Sequence, residues 1–258
     1  MSLYETENSV EKSFDTNFIP EEQLQTQWSE FIELKKVIHE VYILQKRPVT
    51  VLDIGIGSAR IVKHLSGIKE IWDGISYYHG IDNAQACLAL SAKVIKDLNI
   101  GHKVSLSFLE AKDLNKLNKK FDLIITTWFT AGNFYPENFP FKTYKESGKK
   151  IDLSKNEKFQ QIFYDAYNLL NAGGEIIIGS CYIDNDNNRK KQEAFYKKLG
   201  MEIITDAQDT FTATKEKFWS QRFTKEKLQI YLSFVIPENI VCTPLDTYDF
   251  AMQVRIKM

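Results

Sequence analysis

The run Val49-Thr50-Val51-Leu52-Asp53-Ile54-Gly55-Ile56-Gly57-Ser58-Ala59-Arg60 constrains this chain more than any other, because an apolar segment leads directly into two closely spaced glycines and a helix start. Val49 to Ile54 is β-branched or aliphatic at almost every position, the composition of a central parallel strand covered on both faces. Gly55 and Gly57 lack a Cβ, so the turn is free to adopt unusual backbone angles and to let ligand atoms approach the main chain. Ser58 to Leu65 is predicted to be helical, with its first amides aimed back at the turn, where they favour acceptor atoms. A strand-to-helix turn serving structure alone would carry the same residues, so the assignment depends on the segments downstream of Leu65.

Four further strands extend the pattern. Tyr77 to Ile81 is a short apolar segment ending at Asp82-Asn83, with a helix expected over Ala84 to Leu98. An acid at such a strand end accepts hydrogen bonds from both hydroxyls of a ribose; as a helix cap alone, Asp82 would bind only backbone amides. Val104 to Leu109 alternates as a third strand, followed by Glu110-Ala111-Lys112-Asp113-Leu114, where a carboxylate is available to the exocyclic amine of an adenine. Phe121 to Thr127 is a fourth. After a helix over 156 to 171, Gly173-Gly174 are expected to break the chain before a fifth, Glu175 to Gly179. The alternation predicts an α/β fold: a doubly wound, mostly parallel seven-stranded sheet with helices on both faces. Ile240 to Thr243 and an antiparallel C-terminal strand, Phe250 to Ile256, would close it.

In this order the features resemble the class I S-adenosylmethionine-dependent methyltransferases over roughly residues 49 to 200. The family's glycine turn is matched by Asp53, Gly55 and Gly57, with Ala59 at the usual third small position. Arg60 stands where a dinucleotide dehydrogenase would carry glycine, which counts against NAD or FAD. The resemblance implies S-adenosylmethionine as cofactor and S-adenosylhomocysteine as product. It implies that Gly55, Gly57 and Ala59 shape the methionine end and that Asp53 orients its amino group. Asp82 with Asn83 would then hold the ribose, and Glu110 with Ala111 the adenine, Asp113 being a second candidate; Thr127 completes the cofactor set. The connection from Leu65 to Tyr77, containing Trp72 and Gly74, is longer than the family's usual one.

Strand ends in this architecture point into the ligand crevice, so Thr127-Trp128-Phe129-Thr130-Ala131-Gly132-Asn133-Phe134-Tyr135-Pro136 is expected beside the reacting groups. Its aromatic density continues through Phe139, Phe141 and Tyr144, enough to exclude water or surround a cationic amine, or to form the core of an insertion over about 128–155. Gly132-Asn133-Phe134 is similar to a loop of the histidine Nα-methyltransferase family, which implies a substrate contact for Asn133. Trp128, Tyr135, Tyr182 and Trp219 are further substrate-binding candidates. Arg222 is another, since its planar guanidinium suits a substrate carboxylate; a surface ion pair is the competing role. None of His39, His64, His79 and His102 falls on the loops leaving the fourth and fifth strands, so histidine-assisted O-methylation lacks a base. An amine acceptor of small-molecule size is therefore preferred. A protein or RNA methyltransferase, or a non-catalytic cofactor-binding protein, is the alternative.

Leu24 to Leu44 is helical in pattern, with Trp28, Phe31, Ile32, Leu34, Val37, Ile38 and Val41 as its apolar positions and Pro20-Glu21-Glu22 at its start. Residues 1–48 are expected to form a lid, with Tyr4, Phe14 and Phe18, or simply to cover the sheet. Residues 49–258 form the main domain, with accessory elements at about 206–235; Met201 to Thr205 and Thr210 to Thr214 look extended. With 33 basic and 34 acidic side chains and a net charge of −1, no global field recruits nucleic acid. Cys87, Cys181 and Cys242 show neither zinc spacing nor a disulfide framework, so no metal is expected and a reducing cytoplasm suits the chain. Met1 to Lys12 carries no signal-peptide core, and no membrane association is expected.

Overall fold

In the computed structural model, which describes residues 19–148, 150–245 and 249–258, helix α1 (Glu21–Gln45) precedes strand β1 (Val49–Ile54). Two short helices, α2 (Arg60–Ser66) and α3 (Lys69–Asp73), occupy the long connection to β2 (Ile75–Asp82). Helix α4 (Gln85–Asp97) leads to β3 (Val104–Phe108), and a 3-10 segment, Ala111–Lys116, to β4 (Phe121–Thr126). Beyond a second 3-10 segment, Thr130–Asn133, come α5 (Tyr144–Ser147), α6 (Glu157–Asn168) and β5 (Leu170–Ile183). The chain finishes with α7 (Asp186–Lys198), β6 (Phe211–Ala213), β7 (Trp219–Phe223), α8 (Lys225–Tyr231), β8 (Ile240–Pro244) and β9 (Ala251–Lys257).

Strands β3, β2, β1, β4 and β5 lie side by side and parallel, with Asp53 of β1 opposite both Gly80 and Ile125. The far edge of β5 is covered by antiparallel β9, and β9 by antiparallel β8. These seven strands are the expected doubly wound sheet. Two more exist: β6 and β7 form a hairpin joined to the end of β5 through Tyr182–Arg222 and Ile183–Phe223. Tyr182 pairs with Ala251 on one edge, so the hairpin takes the other edge, beyond the last β4 pairing at Thr126–Ile178. It therefore stands over the carboxyl end of the sheet.

Three expectations are corrected. Gly173-Gly174 do not separate a helix from a strand; β5 begins at Leu170, and residues 171–174 bulge between the Phe121–Leu170 and Leu123–Glu175 pairings. Gly174 is needed there because a Cβ would lie 2.8 Å from the Asp122 carbonyl oxygen. Met201 to Thr205 is not a strand, making only an isolated bridge between Ile203 and Thr214. Trp28 and Ile32 leave the core: the buried stripe of α1 is Phe31, Leu34, Val37, Ile38 and Val41, while the row 28-32-35-39 turns outward and Trp28 is 61% exposed. Tyr4, Phe14 and Phe18 lie outside the described residues.

Period-two alternation divides the strands between two cores. Val51, Leu123, Ile125 and Ile177 pack with α1, α2 and α4 on one face of the sheet. Leu52, Ile124, Ile176 and Ile178 pack with Phe159, Ile162 and Phe163 of α6 and with α8 on the other. Because every central position is buried on one side or the other, the strands read as nearly continuous apolar runs. The carboxyl ends of β1, β2 and β4 are left facing one crevice. Among the described residues no helix is long and apolar enough to cross a membrane.

Candidate functional site

At the end of β1 the backbone turns through three left-handed positions, Gly55 (φ 79°), Gly57 (φ 59°) and Ala59 (φ 57°), before α2 begins at Arg60. The helix therefore starts two residues later than the expected Ser58. The turn is tied to the neighbouring strand: Gly55 and Ile56 both donate their amides to the Ile81 carbonyl, at 2.9 and 3.0 Å. Ser91 of α4 donates to the Gly57 carbonyl at 2.7 Å. Gly80 makes room for Ile56, whose side chain lies where a Cβ would be.

Asp82 performs the backbone-binding job that bare residue type left open. Its two oxygens accept the amides of Gly57 (3.0 Å) and Ala84 (2.9 Å), holding the turn and starting α4. Each oxygen keeps a second lone pair for a ligand. Burial raises its carboxyl above the ordinary range, opposed by those amide bonds. Asp53 lies beneath the turn, fully buried. One oxygen accepts the Tyr78 hydroxyl at 2.6 Å, and the other, Oδ1, has no partner among the described residues. Desolvation pushes Asp53 up to about 7.

The loop leaving β4 holds two successive left-handed residues, Trp128 (φ 54°) and Phe129 (φ 60°), a strained arrangement for bulky side chains. Glu30 of α1, completely buried, accepts the Trp128 amide at 2.9 Å, the Ser180 hydroxyl at 2.8 Å and Arg60 at 2.7 Å. Phe129 donates its amide to Ser180 and stacks on Tyr182, ring centroids 3.7 Å apart. Asn156 caps α6 by accepting the Phe159 amide and donates to the Phe134 carbonyl, joining that helix to the same loop.

Together these elements enclose a cleft of about 730 Å³. Of the expected cofactor residues, Gly55, Gly57, Asp82, Asn83, Glu110, Ala111 and Thr127 line it; Asp53 and Ala59 are buried directly behind its wall. Of the expected substrate residues, Trp128, Asn133, Tyr135 and Trp219 line it. Tyr182 does not; it backs a small side cavity shared with Trp128 and Asn133, its hydroxyl accepting from Gln23 at 2.6 Å.

Arg222 is likewise away from the cleft lining, and neither role expected for it survives. Its side chain is 1% exposed, with Nε to Asp184 at 3.2 Å, one terminal nitrogen to Gln192 (2.7 Å) and Thr212 (2.9 Å), and the other to the Asp209 carbonyl. Every donor group is occupied, so it is a buried cross-link between the hairpin and α7. Glu30, Lys158 and Met201 carry no local motif and were invisible in the sequence; only Lys158 and Met201 reach the cleft itself. No histidine is on the lining, and among the described residues no three His, Cys, Asp or Glu side chains gather as a metal site.

A parallel sheet in the order β3-β2-β1-β4-β5, closed by an antiparallel strand and with its cleft at the carboxyl ends, is the Rossmann-like fold of class I methyltransferases. Solved structures agree. A S-adenosylmethionine-dependent methyltransferase from Clostridium acetobutylicum is similar at 14% identity and TM-score 0.56, over 93% of this chain and 92% of that one. The CcbJ methyltransferase from Streptomyces caelestis is similar at 10% identity and TM-score 0.53, over 84% and 87%. An O-methyltransferase family protein from Burkholderia thailandensis is similar at 10% identity and TM-score 0.54, over 87% of this chain and 55% of its own. No protein-family model matches the chain, and no curated protein sequence does.

Proposed function

We propose that this chain transfers a methyl group from S-adenosylmethionine to a small-molecule acceptor, at nitrogen in preference to oxygen. The observation that carries the reading is the buried Asp53 Oδ1, without a partner among the described residues, directly behind a left-handed glycine turn that lines a cleft whose other end is aromatic. A buried acceptor without a donor is costly, and the ammonium of a methionine moiety is the donor it lacks. In this reading Gly55 and Gly57 admit the methionine end, Asp82 takes the ribose hydroxyls on its free lone pairs, and Ala111 with Glu110 meets adenine.

When bound, the cofactor supplies a sulfonium methyl, which the acceptor's lone pair takes as the carbon–sulfur electron pair returns to sulfur, leaving S-adenosylhomocysteine. The chain's part is alignment and exclusion of water. Trp128, Tyr135, Phe218 and Trp219 wall the far end, and the hairpin tip closes it. Proximity and orientation of this kind lower a barrier by up to about 7–11 kcal/mol. A neutral amine needs no base before attack, which suits a lining without histidine. The enclosed volume lies in the range of small-molecule sites, which favours a compact acceptor over a macromolecule.

Calorimetric titration with S-adenosylmethionine and S-adenosylhomocysteine, with NAD as control, tests the reading. Binding of the adenosyl ligands and not NAD is expected, followed by methyl transfer within a panel of small amines. Failure of both adenosyl ligands to bind would overturn it.

A further inference from the structure

Charge and hydrogen-bond capacity on the cleft lining are unevenly spent. Among the described residues its three carboxylates are all engaged: Asp82 by two amides, Glu110 by Lys112 at 3.0 Å, and Glu216 by the Glu202 amide at 3.2 Å. Arg60 and Lys112 are engaged in turn, by Glu30 and Glu110. Four donors in the acceptor half are not. The Lys158 ammonium has no carboxylate partner among the described residues and rests 4.6 Å from the centre of the Tyr135 ring. Lys217, at the hairpin tip, is likewise unpaired among the described residues. The Asn133 amide has no hydrogen bond among the described residues. Trp219 is 1% exposed, yet its indole Nε1 has no acceptor among the described residues.

These groups adjoin one another. Tyr135 lies under Lys158 and 6.3 Å, centre to centre, from the Trp219 ring, while Phe211 stacks on Trp219 at 3.8 Å and fixes its plane. Lys158 is held at the start of α6 by the Asn156 cap, which also anchors the loop carrying Asn133 and Tyr135 through the Phe134 carbonyl. Burial lowers the Lys158 ammonium from its ordinary range, with Lys112 adding to the effect and the more distant charges of Glu110 and Glu137 opposing it, as for a cation partly stripped of water and not in direct contact with a carboxylate. A buried N–H without an acceptor and a half-buried ammonium that meets only an aromatic ring, both beside Tyr135 among the described residues, are satisfied together by an anion attached to a flat ring.

We propose that the acceptor is a ring-bearing carboxylate, its ring against Tyr135 and Trp219 and its carboxylate taken by Lys158 and the Trp219 N–H. This rests on the methyltransferase reading for the word acceptor, but the anion site itself does not require it. The carboxylate of such a molecule would be fixed on the aromatic wall beside Tyr135, leaving its nucleophilic atom to reach toward the glycine turn.

The test is a calorimetric titration of the protein, alone and loaded with S-adenosylhomocysteine, with ring carboxylates each paired with its neutral amide: 4-aminobenzoate with 4-aminobenzamide, and indole-3-acetate with indole-3-acetamide. At least one carboxylate is expected to bind tenfold or more tightly than its amide. Lys158→Met should abolish that preference, Lys158→Arg should restore most of it, and Trp219→Phe, which keeps a ring but removes the N–H, should weaken the carboxylate about tenfold and the amide little. Circular dichroism of each variant confirms folding. Carboxylate preference without S-adenosylhomocysteine binding would uphold the anion site and sink the methyltransferase reading. S-adenosylhomocysteine binding with no carboxylate favoured over its amide, or a preference unchanged in Lys158→Met, would overturn the inference.

Discussion

The buried carboxylate of Glu30 accepts the backbone N–H of Trp128 at 2.9 Å, so a helix outside the sheet holds the strained loop at the mouth of β4. The same carboxylate binds Ser180 and Arg60, linking α1, β5 and the start of α2 at one point. Gly179 permits the approach, since a Cβ there would overlap the Glu30 side chain. Helix α1 thus covers sheet surface and shapes the cleft at once.

Glu30→Ala leaves Arg60, Ser180 and the Trp128 amide without their shared acceptor. Loss of about 3–5 kcal/mol of stability is expected, the range for breaking a buried ion pair by removing one partner. Glu30→Gln, which keeps an acceptor oxygen, should lose less. Urea denaturation of the three proteins measures this, and equal stability of Glu30→Ala and wild type would show that the network contributes nothing.

Asp82→Ala removes the clamp on Gly57 and, in the proposed reading, the ribose acceptor. Hydrogen bonds to a charged group contribute about 1.5–3 kcal/mol, so S-adenosylhomocysteine should bind roughly ten- to a hundredfold more weakly. Unchanged affinity in calorimetry would contradict the placement of the ribose at this strand end.

The raised Asp53 carboxyl should make folding depend on pH and, in the proposed reading, binding as well. Its carboxyl, at 3.8 before burial, is raised to about 7 in the folded chain, so the fold favours the protonated form. Stability attributable to this group is therefore fully present below about pH 4 and is lost as pH rises through about 7. A bound ammonium requires the ionised form, so affinity for S-adenosylhomocysteine should rise with pH below 7, by up to about tenfold per unit. Titrations at pH 5.5, 6.5 and 7.5 in buffers of different ionisation enthalpy should show proton release, and Asp53→Asn should abolish it.

Arg222→Lys cannot reproduce the fan of bonds to Asp184, Gln192, Thr212 and Asp209. The melting temperature should fall by several degrees, at about 2–4 °C per kcal/mol for a chain of this size. Cofactor-product affinity should stay within about threefold, because the side chain does not reach the cleft. A large loss of affinity at unchanged melting temperature would return Arg222 to the site.

The sequence by itself determined the seven-stranded doubly wound sheet and the glycine turn that lines one end of the cleft. Parallel strands buried on both faces need unbroken apolar runs, and a turn through positive φ needs glycine, so Val49 to Ile54, Gly55 and Gly57 show their state locally. Asp82 and Glu110 follow from lying at strand ends. The aromatic end of the cleft was legible as the density after β4, with Asn133, and as Trp219, but not as one wall. Lys158, Met201, Phe218 and Trp219 come from three distant segments and meet because the hairpin occupies the edge of β5 that β4 vacates. Only tertiary structure decided that Arg222 is a buried cross-link and Glu30 the support of the Trp128 loop. Both outcomes depend on long-range partners that satisfy a buried charge, and no local pattern encodes which partner a charge will find.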